Sequence, residues 1–423
     1  MSMKKRLSFI IILSCIIVNF TSCSSDDDAN GTAVFAVPIV KSLAKIRSDI
    51  SVTAARQTNS DGKIYVAENY LFYIAQESGI HIFDNQNPSA PQNTAFINLS
   101  GVHDIAVKGN YLYADNFVDL VVFDISDIDN IELVQTIENT IVFYAAFPNE
   151  AEFYDYTVGP NTDEIIIGYR FETKSRPREQ LLLAYDLATN EVGGGSNSPN
   201  SNGSVGTGGS YARFQINDNA LYTVDMYQLN VFNISNPLQP FFDKAVFMNE
   251  WFFGGQLETL FKQKDYLFVG ATNGMQIVDA SDEFNPVFVS GFSHATACDP
   301  VVVRGNTAYI TIRGGSTCGA IEDQVNVIDI TTITNPTLIS TTLLNQPRGL
   351  GIKENILYVC CAEGLKVFDA SDGTNLVVQN TYSDDVTDVI PLATHLIAVG
   401  SNTIIQYSYG SDFTLMPLSV VNF

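Results

Sequence analysis

A short apolar run that ends in Asp and a turn recurs along this chain, and that recurrence limits the fold more than any other feature. The copies are GIHIFDNQNPSAP (79–91), DLVVFDISDIDN (119–130), LLLAYDLATN (181–190), LNVFNISNPLQP (229–240), MQIVDASDEFNP (275–286), VNVIDITTITNP (325–336), LKVFDASDGTN (365–375) and a weaker IIQYSYGSD (404–412). Length alone, at 423 residues, would suggest two or three ordinary domains. A unit written eight times overrides that prior.

Residues 102–137 show the surroundings of each copy most clearly. Alternating apolar residues (Ile105, Val107) make a first strand, KGN a tight turn, Leu112 belongs to a second strand, Leu120–Phe123 form a third and Leu133–Ile137 a fourth. Four strands per repeat of about 40 residues is the spacing of a propeller blade. One such sheet alone leaves both apolar faces wet. Stacking sheets face to face covers them, at roughly 25 cal/mol per Å² of apolar surface removed from water. The predicted fold class is therefore all-β, a β-propeller of four-stranded antiparallel blades, with eight blades from the repeat count and seven as the second choice. Asp84, Asp124, Asp186, Asp279, Asp329 and Asp369 are read as turn-makers, because Asp side chains bond backbone amides two residues on. Residues 33–58 could add an outer strand, or a short helix around KSLAKIRSDI, and either would tie the terminal blade shut.

The N-terminus speaks to location. Lys4, Lys5 and Arg6 precede LSFIIILSCIIVNF, an h-region of secretory length that is too short to span a bilayer comfortably. Phe20-Thr21-Ser22-Cys23 resembles the lipobox of bacterial lipoproteins, which implies that Cys23 is lipidated and becomes the new N-terminus. Ser24-Ser25-Asp26-Asp27-Asp28 resembles the acidic tag that sends lipoproteins of Bacteroidota-type bacteria to the outer leaflet of the outer membrane. A plain transmembrane anchor or a periplasm-facing lipoprotein are the alternatives. The expected organisation is a signal peptide over 1–22, a lipid-anchored linker over 23–60 and a single propeller domain over 61–423.

With that context, LVVFDIS, MQIVDAS and LKVFDAS resemble the LVIVD repeat of bacterial secreted β-propellers, over nearly everything from Lys63 onward. Lipobox, acidic tag and repeats together are similar to a group of Bacteroidota lipoproteins. The resemblance implies a propeller and does not imply an enzyme. Tyr407-Ser408 departs from the repeat's apolar-Asp pair and leaves the last turn open.

Charge and cysteine narrow the partners. The formal charge is −24, and loss of 1–22 removes three basic and no acidic residues, giving −27. Such a chain is repelled by phosphates, which argues against nucleic acid. Cys298 and Cys318 flank a predicted hairpin, and a disulfide between them is expected in an oxidising compartment. Cys360 and Cys361 point to opposite faces of one strand and are read as packing residues. No two of His81, His103, His294 and His395 lie at metal-ligand spacing, so neither a metal nor a cofactor is implied.

In a propeller, loops leading into the inner strands surround the mouth of the central channel. Those positions hold His103, Asp104, Asp155, Arg213, Glu258, Asp299, Arg348 and Asp388, with His294 in the insertion FSHATACDPVVV (292–303). A polar ring of mixed sign suits ligand binding on a rigid scaffold. Equally, its charges could satisfy one another and water. Two aromatic clusters, VFYAAFPNEAEFYDY (142–156) and WFFGG (251–255), would suit sugar rings or a protein partner if exposed, or cap the channel if not. GGGSNSPNSNGSVGTGG (193–209) reads as a flexible excursion without chemistry.

The leading expectation is a surface lipoprotein of the outer membrane whose propeller binds a protein or glycan partner without catalysis. The rival is a hydrolase-type enzyme at the channel mouth, with Asp104, Asp299, Asp388 or His103 as acid-base candidates. A third reading is a structural part of a larger outer-membrane assembly. Oligomeric state is not legible.

Overall fold

The structure, a computed structural model, describes residues 32–57, 62–76, 78–175, 204–248, 255–294, 300–314, 322–401 and 403–422. These residues are all-β save one short helix and a single 3-10 turn. They divide into two compact units, one holding 32–43 and 144–175, the other 44–143 and everything from 204 on. Residues 144–175, expected inside a single domain over 61–423, thus belong with the N-terminal strand instead.

Eight sheets are formed among the described residues, in keeping with eight repeat units. In the larger unit, seven of them carry the four-strand meander, and they are called blades 1 to 7 here, starting at 62, 105, 214, 257, 301, 350 and 388. Each runs antiparallel from an inner strand outward, as the pattern at 102–137 predicts. The remaining sheet is three-stranded and lies in the smaller unit, and the third repeat copy, 181–190, lies outside the described residues.

Packing explains why the blades stay together. Each pair of neighbours shares an apolar cluster, because successive side chains of a strand point to opposite faces. Cys360 packs between blades 6 and 7 and Cys361 between blades 5 and 6, both as buried free thiols, as their adjacency predicts. The circuit is closed by Ile64, Leu71, Tyr73 and Phe83 of blade 1 against Ile390, Ile397, Val399 and Ile404 of blade 7. Among the described residues, no strand is shared across that seam. Asn85 and Gln406 exchange side-chain hydrogen bonds there, at 3.1 and 2.7 Å.

Both uses foreseen for 33–58 occur, yet neither closes the ring. Ser51–Ala54 pairs with the outer strand Gln92–Asn98 of blade 1, covering its edge. Arg47, on the helix Leu43–Ser48, forks onto the buried Asp119 carboxylate at 2.7 and 2.9 Å. The Asp turn-makers behave as predicted: Asp84, Asp124, Asp279, Asp329 and Asp369 each accept a hydrogen bond from the amide two residues on, at 2.7–2.9 Å. Asp186 lies outside the described residues. In all seven blades, the third and fourth strands slip register next to this turn. Such a bulge bends the outer strand and increases its twist.

In the smaller unit, Thr32–Ser42 pairs antiparallel with Glu164–Ser175 and parallel with Phe153–Tyr154. Phe147, Tyr154, Tyr156 and Tyr169 form a contiguous aromatic group with centroids 4.5–6.4 Å apart. It is open to solvent, since Tyr156 is 69% and Phe147 46% exposed.

Candidate functional site in the ring channel

The channel contains the chain itself. The segment before blade 3 runs along the inner strands as a further, innermost strand, so that with Ser51–Ala54 on the outer edge the sheet of blade 1 has six strands. Thr207 and Gly208 pair with Val66 and Tyr65. At one end, the Gly109 amide donates to Ser204 O at 2.7 Å, and the Gly206 amide to Val107 O at 3.0 Å. At the other, Asp104 accepts from the amides of Arg213 and Phe214, the second at 3.3 Å. Between them, Ser210 Oγ donates to Asp388 at 2.7 Å and accepts from the Leu350 amide at 3.0 Å. The Leu260 amide reaches Ala212 O at 2.6 Å, and Lys63 Nζ reaches Tyr211 O at 3.0 Å. Inner strands of blades 1, 2, 4, 6 and 7 therefore hold this one segment.

Glycine is required by the close approach. A Cβ on Gly209 would lie 1.9 Å from Asp388 Oδ2, and one on Gly206 would lie 2.4 Å from the Tyr65 ring. The end of the glycine-rich stretch, 204–209, is thus an ordered channel strand rather than an excursion; the rest of that stretch lies outside the described residues.

The mouth residues of the sequence reading accordingly have different fates. Asp104 and Asp388 are buried and bonded to main-chain amides of the channel strand and of their own blades. Burial raises both carboxyls, Asp388 to about 6. Burial also lowers the ammonium of the partly buried Lys63, against the pull of Asp104. Arg213 donates through its guanidinium to Val224 O at 3.0 Å. Arg348 pairs with the exposed Asp385 at 2.9 Å. Glu258 sits within the inner strand Leu257–Gln263, not ahead of it, and is half-buried. His294 follows Val287–Ser293, its amide bonded to Asn273 O at 3.2 Å.

Asp155 belongs to the smaller unit. Its carboxylate is bound by Lys174 and by Thr157 Oγ1, which hold it down at about 2. Asp299, Trp251, Cys23, expected to carry lipid, and both Cys298 and Cys318 lie outside the described residues.

His103 is partly open at the mouth, with its side chain 26% exposed. Asp115, which the sequence reading missed, accepts from His103 Nδ1 at 2.9 Å and from the amides of His103 and Asp104 at 2.8 and 2.9 Å. Burial alone would raise the Asp115 carboxyl, but the His103 ring and these donors leave it below the usual range. An ionised carboxylate can only accept, so Nδ1 carries the proton that Asp115 receives. The aligned repeats held no sign of Asp115, whereas GTGGS (206–210) was a signal for close backbone approach.

The raised Asp388 carboxyl has a pH consequence. Between about pH 4 and 6 the unfolded chain releases this proton while the folded chain keeps it, so stability falls as pH rises and levels off above 6. At most about 3 kcal/mol is involved. Urea midpoints of wild type and Asp388→Asn should converge towards pH 4 on this account and separate, in favour of the variant's shallower slope, towards pH 7. Parallel pH profiles would contradict it.

The LVIVD repeat is matched over residues 61–95, 101–138 and 263–293, which fall on blades 1, 2 and 4. The chain carries LVIVD repeats. No curated protein matches it significantly. Among solved structures, a protein from Lactobacillus plantarum shares 10% identity over 88% of this chain and 98% of its own, with a TM-score of 0.51. The periplasmic gluconolactonase PpgL of Pseudomonas aeruginosa shares 9% identity over 88% of this chain and 96% of its own, with a TM-score of 0.52. At such identities the likeness establishes the propeller fold of this LVIVD-repeat chain and nothing about its activity.

Proposed function

We propose that the protein is a non-catalytic binding propeller, tethered through Cys23 to the outer membrane and displayed at the cell surface, where it engages a protein or glycan partner. The observation that carries this reading is the occupied channel. Asp104 and Asp388, the carboxylates an axial hydrolase would use, are spent on the main chain of 204–214. The open aromatic group on the smaller unit supplies the contact surface, since Tyr and Phe faces combine large area with few rotatable bonds.

Glycan arrays and cross-linking on intact cells test this, with wild type against Tyr156→Ala and Phe147→Ala, both exposed enough to leave folding intact. Retained ligand lost by at least tenfold in these variants is the expected result. Incorporation of an alkyne fatty acid, abolished in Cys23→Ser, reads the anchor. No ligand on either screen, or binding indifferent to both aromatics, would oppose the proposal.

A second reading is favoured by one observation, the Asp115–His103 pair, which orients the His103 ring through Nδ1 at a partly open mouth. A hydrolase of the lactone or ester class could use it as general base. Turnover of such substrates that disappears in His103→Ala, with stability unchanged, would favour this rival.

A further inference from the structure

We infer that the ring channel is a peptide-binding groove, filled by the chain's own Ser204–Arg213, which also takes an extended peptide with a Gly-x-x-Gly-Ser core supplied in trans. This goes beyond the proposed function and does not depend on the aromatic surface. Recognition is mostly of main chain: antiparallel pairing with Tyr65 and Val66, and bonds to Val107 O, Gly109 N, Leu260 N and Lys63 Nζ. Any extended peptide offers these groups, which is how exposed strand edges bind segments generally.

Selectivity comes from three positions. No side chain fits at the sites of Gly206 and Gly209, where a Cβ meets Tyr65 and Asp388 at 2.4 and 1.9 Å. At the site of Ser210, a hydroxyl is read twice, as donor to Asp388 and acceptor from the Leu350 amide. Tolerance comes from a cavity of about 200 Å³ beside the segment, lined by Tyr65, Thr207, Ala212, Phe214, Leu260 and Phe261, which leaves room for larger residues at the sites of Thr207 and Ala212.

The ring does not need the segment to hold together. The apolar clusters that join blade to blade include none of residues 204–212. Exchange is therefore opposed mainly by the high effective concentration of a covalently linked guest, which a weakened internal guest would forfeit.

The test uses the full chain carrying Gly209→Val, and a fluorescent peptide of residues 204–213, read by anisotropy. The peptide should bind the variant at least tenfold more tightly than it binds wild type. Peptides with the same Gly→Val change, or with Ser210→Ala, should lose at least tenfold. Equal binding of all three peptides to a folded variant overturns the inference. Should the variant fail to fold, hydrogen exchange on wild type decides: amides of 206–212 exchanging well before those of 64–66 support a separable guest, and exchange of both only on global unfolding refutes it.

Discussion

Replacing Tyr73 by alanine should cost about 3–5 kcal/mol of stability, the range for truncating a fully buried large aromatic. Tyr73 is 0% exposed and stands in the cluster that joins blade 1 to blade 7. Its ring also lies where a side chain on Gly62 would be, 2.6 Å from that Cβ position, so the cavity left behind has a rigid strand on one side and cannot collapse cheaply. Because the seam has no shared strand, apolar side chains are most of what seals it. Urea denaturation gives the total. Hydrogen exchange should localise it, with faster exchange in blades 1 and 7 and little change in blades 3 to 5. A loss below 1 kcal/mol would mean that the seam is held by something other than this packing.

Gly364→Ala should be nearly as severe, at roughly 4 kcal/mol, from a different cause. Gly364 opens the third strand of blade 6 at φ +110°, a conformation L residues rarely adopt. An added Cβ would also stand 1.9 Å from the carbonyl oxygen of Tyr382, which is backbone of the neighbouring strand and cannot rotate away. Strain and overlap thus add, where either alone costs 1–3 kcal/mol. Gly373→Ala is the matched control, because its Cβ position meets only Thr307 Oγ1 at 4.0 Å. Similar unfolding midpoints for the two variants would contradict the backbone argument.

Much of this fold could be read from the sequence because the repeat writes its turn chemistry in side chains. Asp84, Asp124, Asp279, Asp329 and Asp369 bond the amides that their positions foretold. The register slip beside each turn left no such mark, since a bulge is a property of backbone pairing that many sequences share. A further signal went unread. The third residue of the aligned third strands is often polar, as His81, Asn230, Gln276, Asn326 and Lys366, and four of these are buried. Burial depresses the His81 imidazole to about 4. Scanning only for apolar alternation passes over such a belt.

The candidate site was less legible. His103 and Asp104 were named, but Asp115, which binds both, sits on the second strand and outside the loop positions searched. Nothing in a repeat predicts that an insertion between two copies will return along the axis. Residues 142–156 were treated as one cluster, whereas Phe143 packs on Phe117 in the larger unit and Phe147 on Tyr154 and Tyr169 in the smaller.

The seam between the first and last blades bears on how such a ring can change over generations. Each of blades 2 to 7 is encoded by one unbroken stretch, and none borrows a strand from the far end of the chain. Duplicating or deleting one stretch of coding sequence would therefore add or remove a complete wedge, with no compensating edit elsewhere. Its two new faces would need only to match in shape and greasiness.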